Sequence, residues 1–312
     1  MNQESRPRIA VVGSFMMDLV VQCNHLPLEG QTIVGQDFNT FVGGKGSNQA
    51  IAAARLGANV SMIGRVGTDN FGDELLKNLS AEGVDSQFVV KDTEMGTGVA
   101  MITVDANGDN TIVAVPKANM SLNPDNIDQA ESAIAVADIL LLQLEVSLLA
   151  VQRAAEIAKA NGVPVLLNPA PARRIPMELM SLVDILVPNE TETEFLTGFR
   201  LTDMESIKSA AKHLLEESVP TVVLTLGDQG ALLATAEDIQ LVPSYSVKAV
   251  DATAAGDAFC GTLAVSIARG DSWESAVNFA NAAGALTVTK LGAAPSIPTR
   301  EQVIELIERN RN

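Results

Sequence analysis

Val247-Lys-Ala-Val-Asp251-Ala-Thr-Ala-Ala-Gly256-Asp257-Ala-Phe-Cys-Gly261 is the stretch that decides how the chain is read. An apolar run ends at Asp251, small residues and a glycine follow, and a second apolar run (Ala258, Phe259, Leu263, Ala264, Ile267) takes over. The order predicts a strand, a tight turn and a helix. Ala254, Ala255 and Gly256 lack bulk, so their N–H groups can converge on a ligand, and a helix starting there adds the positive end of its dipole. Together these features make an anion site. Asp257 has two readings. A carboxylate in a first helical turn is an ordinary N-terminal charge. Beside an anion-receiving turn it is also placed to act as a base toward a hydroxyl that attacks a phosphoryl group.

Working outward, the preceding hundred or so residues alternate strand and helix. Ile139–Leu144, Val163–Leu167, Ile185–Val187 and Thr221–Leu226 read as strands, and Ser147–Asn161 and Glu205–Glu217 as helices. Such alternation gives a mostly parallel sheet with helices on both faces, and ligands in such sheets sit beyond the carboxyl ends of the strands. Glu145, Asn168, Asn189, Glu192, Thr225 and Asp257 all fall at or just after predicted strand ends, which points to one shared site. Toward the C-terminus, Trp273–Thr289 and Arg300–Arg309 read as helices.

The N-terminal part adds a second glycine turn. After a first strand, Ile9–Gly13, the segment Gly43-Gly44-Lys45-Gly46-Ser47-Asn48-Gln49-Ala50 opens a helix, Asn48–Leu56, that stops at Gly57. The glycines allow close backbone approach to a ligand, and the Gly-Lys pair lacks the upstream glycine of a Walker A loop. Val60–Val66 reads as a strand, with Asp69–Glu82 and Asn126–Val136 as helices. Thr32–Val34, Asp37–Val42 and a hairpin formed by Thr97–Val104 and Asn110–Val115 are expected to make a small sheet apart from the main body.

Composition limits the function classes. The 312 residues are 47% hydrophobic with one Trp and one Tyr, so aliphatic residues must fill the core. The net charge of −17 argues against nucleic acid and anionic membranes as partners, and requires a local positive site for any anionic substrate. Cys23 and Cys260 make no disulfide framework and fit reduced thiols in the cytoplasm. The start of the chain has no signal-peptide core, and no apolar run reaches the ~18 residues of a membrane span.

Gly43–Ala50 resembles the N-terminal signature of the ribokinase-like (phosphofructokinase-B) sugar kinases, and Asp251–Phe259 resembles their C-terminal signature. Asn189-Glu-Thr-Glu192 is similar to the family's N-x-x-E motif, and the likeness runs from Ile9 to about Pro298. Leu142-Gln-Leu-Glu145 and Asn168-Pro-Ala-Pro171 are most similar to the ribose-phosphorylating branch. The resemblance implies a three-layer α/β/α sandwich with a mostly parallel central sheet. Residues 1–14, 43–95 and 116–312 would form it, with a β-sheet lid at 15–42 and 96–115 that also makes a homodimer contact. The implied reaction carries the ATP γ-phosphoryl group to O5 of D-ribose.

Under that resemblance Asp257 is the catalytic base, and Ala254, Ala255 and Gly256 form the anion hole. Met16, Asp18, Gly44, Lys45, Gly46, Ser47, Asn48 and Glu145 match sugar-binding positions. Asn189, Thr225, Gly227, Gly230, Gly256 and Asn281 match nucleotide-binding positions, and Glu192 the residue that organises Mg²⁺ through water. Asp251, Thr253, Thr287, Lys290, Gly292 and Ser296 match a K⁺ site built mostly of backbone carbonyls.

Three positions depart from the family pattern. Met16 stands where an Asn often faces the sugar, and a thioether cannot donate to a hydroxyl, which leaves 2-deoxyribose open as the substrate. Lys117 in Pro116-Lys-Ala-Asn119 replaces a glycine and is expected to be a solvated lysine. Ala252 replaces a Thr, a minor change if its side chain faces away from the ligands. A nucleoside kinase would need an aromatic slot that the 4% aromatic content supports weakly. A catalytically silent sugar- or nucleotide-binding regulator fits poorly with an intact Asp257 turn. Val12-Gly13-Ser14 lacks the G-x-G-x-x-G of an oxidoreductase.

Overall fold

Two sheets carry the strands of residues 6–311, which a computed structural model describes; residues 1–5, assigned above to the main body, and residue 312 lie outside the described residues. In chain order the strands are β1 (Arg8–Val12), β2 (Met16–Gln22), β3 (Asp37–Gly43), β4 (Asn59–Gly67), β5 (Asp85–Asp92), β6 (Gly98–Val104) and β7 (Asn110–Val115). They continue with β8 (Ile139–Leu142), β9 (Val165–Leu167), β10 (Ile185–Leu186), β11 (Thr221–Thr225), β12 (Ala231–Thr235) and β13 (Ile239–Val242). The large sheet runs β13-β12-β11-β10-β9-β8-β1-β4-β5. It is parallel from β11 to β5, and only the β11–β12 and β12–β13 pairs are antiparallel.

Alternation along the central strands explains why both faces of this sheet are covered. On β1, Ile9 and Val11 point into one buried cluster and Ala10 and Val12 into another; on β8, Ile139 and Leu141 oppose Leu140 and Leu142 in the same way. The first cluster takes in the helices Lys45–Arg55, Ala255–Ala268 and Trp273–Thr287. The second takes in Leu148–Ala160 and Met204–Glu216. Each fully buried Val, Leu or Ile contributes about 1.5–3 kcal/mol relative to exposure. The helices Lys45–Arg55 and Ala255–Ala268 pack closely enough that a Cβ on Gly261 would lie 2.7 Å from that of Ala52, so two glycine turns distant in sequence end side by side.

The small sheet runs β3-β2-β6-β7. Its register puts Met16, Asp18, Phe41 and Gly98 on one face and Leu19, Phe38, Met101 and Val113 on the other. Gly43, expected to begin the body segment, is the last residue of β3.

Several sequence expectations need correction. Thr32–Val34 form no strand; they are largely exposed and pair with nothing in either sheet. No strand precedes Asp251: residues 244–250 are irregular and Lys248–Val250 are exposed, so Asp257 follows a loop rather than a strand end. The expected helix Asn126–Val136 is two short helices, Pro124–Gln129 and Glu131–Ala135, meeting at Ala130. The helix after the first glycine turn begins at Lys45, three residues before the expected start. The pattern also missed β5, the antiparallel edge β12–β13 and the helix Glu190–Thr197. No helix among the described residues is long and apolar enough to cross a membrane.

Candidate active site

Lys45, Asn168, Asn189, Glu192, Thr225, Ala252, Ala254, Gly256 and Asp257 line a cavity of about 190 Å³ at the carboxyl ends of β9–β11. Another concavity of about 240 Å³, walled by Met177, Phe195 and Arg174 among others, contains none of the predicted residues.

The C-terminal turn enters the cavity through a left-handed residue. Ala254 has φ 62°, a conformation that costs an L-residue roughly 1–2 kcal/mol, and it caps the helix Ala255–Ala268. The Ala255 N–H donates to the Ala252 carbonyl at 3.2 Å, while a Cβ on Gly256 would meet only open space. Asp257 is 6% exposed in the first turn. Its Oδ2 accepts from Asn48 Nδ2 at 2.9 Å and its Oδ1 from Gln49 Nε2 at 3.0 Å. Burial pushes this carboxyl up from its ordinary value, and Lys45, Asn48 and Gln49 pull the other way.

The N-terminal turn supplies the opposite wall. Gly44 has φ 92°, and a Cβ there would sit 2.7 Å from the Met16 nitrogen. A Cβ on Gly46 would fall 2.4 Å from the Ser14 nitrogen, so the helix start is pressed against the β1–β2 link. Ser47 N–H donates to Ser14 O at 3.0 Å, and Ser14 Oγ donates to Glu145 Oε2 at 2.5 Å. The Lys45 N–H reaches the same Glu145 oxygen at 3.1 Å. Burial alone would lower the Lys45 ammonium, but Asp257, Glu145 and Glu192 more than offset it and hold it above its ordinary value. Asp18, across from them on β2, is pushed up to about 7 by burial and by Glu145 and Asp257. Met16 is 5% exposed, and its sulfur lies 3.5 Å from Asn119 Nδ2, which also donates to the Phe15 carbonyl at 2.7 Å.

At the other end of the cavity, Asn189 and Glu192 form a capping box. Asn189 Oδ1 accepts from Glu192 N at 2.8 Å, and Glu192 Oε2 from Asn189 N at 2.9 Å. Glu192 is buried, which raises its carboxyl; the bond to Asn189 and the Lys45 charge oppose that rise. Thr225 ends β11 and bridges to Asn189. Gly227, Gly230 and Asn281 do not line the cavity. The two glycines build the turn from β11 to β12, and Asn281 Nδ2 ties its helix to the Val242 carbonyl at 2.9 Å.

Most of the predicted cation residues come together, and Ser296 is tied only to its own turn. Asp251 Oδ2 accepts from Gly292 N at 2.9 Å and its Oδ1 from Thr253 Oγ1 at 2.6 Å, while Val250 and Asp251 N–H groups both reach the Val288 carbonyl. Lys290 N donates to Thr287 O at 3.3 Å, and Ser296 Oγ turns back to Ala293 O at 2.7 Å. Ala252, a minor change only if it faced away, lies on the cavity wall, and Lys117 is exposed against Gly96.

Reading the sequence missed four participants: Ser14, Gln49, Asn119 and Gln143. Gln143 had a faint signal, a lone amide at the end of an apolar run. Gln49 and Asn119 stood inside quoted motifs without a role, and Ser14 is legible only through its contacts with distant segments.

This geometry can gather the negative charge of a phosphoryl group at a helix start beside a buried carboxylate. The profile described as pfkB family carbohydrate kinase matches residues 6–300. The ribokinase of Staphylococcus aureus (strain COL) is 42% identical over 298 residues, covering 95% of this chain and 98% of that protein. The deoxyribokinase of Salmonella typhi is 40% identical over 303 residues, covering 97% and 99%. The structure of Arabidopsis thaliana ribokinase complexed with ribose and ATP superposes with a TM-score of 0.92 at 34% identity, over 97% of this chain and 99% of that one. A buried carboxylate at a helix start, facing a glycine turn and a small sheet, is thus set in a chain that belongs to the pfkB family of carbohydrate kinases.

Proposed function

We propose that the protein transfers the γ-phosphoryl group of ATP to O5 of D-ribose, giving D-ribose 5-phosphate and ADP. The observation that carries this reading is Asp257, buried, with both oxygens held by amides and the helix start beside it. Asp257 takes the proton of the 5-hydroxyl as O5 forms its bond to Pγ. The bond from Pγ to the bridging oxygen of ADP breaks, and charge on the phosphoryl oxygens is met at Ala254–Gly256. Asp18, Glu145 and Asn48 offer polar partners to sugar hydroxyls whose burial would otherwise be costly. Asn189 and Thr225 flank the nucleotide.

Glu192 and Asp257 on the cavity wall, with Glu145 and Asp18 acting on them from beside it, outnumber Lys45, so a cavity that receives a triphosphate requires added cationic charge. That excess fits Mg²⁺ near Glu192, where the ion would neutralise phosphate charge. The Asp251 carboxylate, with the backbone carbonyls of Thr253, Thr287, Lys290, Gly292 and Ser296, would supply the hard oxygen donors that suit K⁺. Activation by K⁺ over Na⁺ at saturating sugar and ATP is expected, and equal rates without K⁺ would count against that site. The small sheet would close as a lid and contact a second copy, in the cytoplasm.

A second reading is supported by one observation. Met16 presents sulfur, not a donor, and one relative is a deoxyribokinase, so 2-deoxy-D-ribose is the alternative substrate. ADP release with Mg-ATP and K⁺, measured against D-ribose, 2-deoxy-D-ribose, fructose and adenosine, separates the two by kcat/KM. Ribose far ahead establishes the first, and deoxyribose equal or ahead the second. No turnover with either pentose overturns both. Asp257→Asn is expected to fold and bind both substrates but lose about 10²–10⁴-fold in kcat; near-normal turnover would remove the base assignment.

A further inference from the structure

Gln49 lies directly behind Asp257, fully buried, and the mechanism above gives it no task. Its Nε2 donates to Asp257 Oδ1 at 3.0 Å and to Asn168 Oδ1 at 3.2 Å. Its Oε1 accepts from Gln143 Nε2, itself fully buried, at 2.6 Å. Asn168 in turn spends its Nδ2 on the Val187 carbonyl at 2.9 Å. These partners leave one orientation for the Gln49 amide. A carboxylate only accepts, and the Asn168 amide presents its oxygen because its nitrogen is engaged, so the NH₂ end must face both. Gln143 closes the other end as a donor. Its own Oε1 is buried without a partner, and such an orphaned acceptor carries a free-energy cost. A chain of amides therefore runs from the ends of β8 and β9 to Asp257 Oδ1.

Resting on the reading of Asp257 as base, we propose that Gln49, keyed by Gln143 and Asn168, is the positioning residue that fixes the Asp257 carboxylate and keeps it ionised for proton transfer. With Asn48 on Oδ2 and Gln49 on Oδ1, the carboxylate cannot rotate about its last bond, while each oxygen keeps a second lone pair. The sign follows from the donors. Hydrogen bonds to the charged form stabilise it, so losing the Gln49 donor raises the proton affinity of Asp257. The other titratable groups facing this carboxylate are Lys45 from the first glycine-turn helix, Asp18 from β2, Glu145 after β8, Glu192 from the capping-box helix and, on its own helix, the Cys260 thiol, which burial keeps neutral. Among these, Asp18 is engaged by sugar at saturation, so kcat rather than kcat/KM is the quantity to follow.

The test compares kcat against pH at saturating sugar and Mg-ATP for the unaltered enzyme, Gln49→Met, Gln143→Leu and Asp257→Asn. Gln49→Met is expected to lower kcat about tenfold near neutrality, to leave the sugar KM within about twofold, and to move the acid limb up by about one pH unit. Gln143→Leu keeps the Gln49 side chain but removes its donor, and should give the same two changes at smaller size. It decides the matter if Gln49→Met does not fold. A lowered kcat with an unmoved limb, or both variants behaving as the unaltered enzyme while Asp257→Asn is inactive, overturns the positioning role and leaves the base in place. Turnover in Asp257→Asn removes the base reading itself.

Discussion

Asp18 sits half-buried on the inner face of the small sheet, with Glu145 and Asp257 across the cavity and Lys45 the nearest counter-charge. Its carboxyl is pushed up to about 7 from an ordinary 3.8 by burial and by those two acids. Between these values the folded protein holds a proton that the unfolded chain has released, so without sugar stability falls as pH rises through that window. Asp18→Asn removes the ionisation. The sugar-free variant is expected to melt about 3–6 °C above the unaltered protein at pH 8 and to match it near pH 4. Equal gains at both pH values would show that the benefit is not electrostatic. Sugar hydroxyls donating to ionised Asp18 should reverse the trend, so saturating sugar stabilises the unaltered protein more at pH 8 than at pH 5.

Elements were legible where a local rule forms them, and obscure where partners do. The two glycine turns and their helices could be read because small residues followed by an apolar run have few other uses, and Gly44 at φ 92° shows the constraint directly. Residues 247–250 looked like a strand by composition, but they pair with neither sheet, and Lys248–Val250 remain exposed. The roles of Gln49 and Gln143 could not be read, because they lie in contacts made across 208 and 94 residues of sequence. The joint between the glycine-turn helix and the small sheet is the element most open to test. A Cβ on Gly44 would lie 2.7 Å from the Met16 nitrogen and 2.9 Å from Phe15, in a backbone region that L-residues avoid. Gly44→Ala should cost about 2–4 kcal/mol and weaken sugar binding more than ATP binding, because Met16 and Asp18 move with the joint. Denaturant unfolding and separate titrations of the two ligands would check this; an unchanged midpoint would show that the joint is slack.

At the scale of the whole molecule, an apolar surface and a large charge act in opposite directions. Cross-strand pairing sets Met101 opposite Val113 on the face of the small sheet turned away from Asp18, and both are about 60% exposed (59% and 62%), as is Phe38 (58%) on the same face. A sheet face of this kind normally meets another surface. Contact with a second copy through this sheet is the arrangement proposed above. Two chains of −17 repel each other, and added salt screens that repulsion. The protein should therefore be a dimer whose dissociation constant falls as NaCl rises from about 10 to 150 mM, across which the Debye length shrinks from about 30 to 8 Å. Met101→Lys with Val113→Lys should give a monomer at every salt concentration by putting four like charges into a desolvated contact. Sedimentation velocity on both proteins decides it. A double variant that stays dimeric would place the contact elsewhere, and a monomer in the unaltered protein at high concentration and high salt would mean that this face stays open.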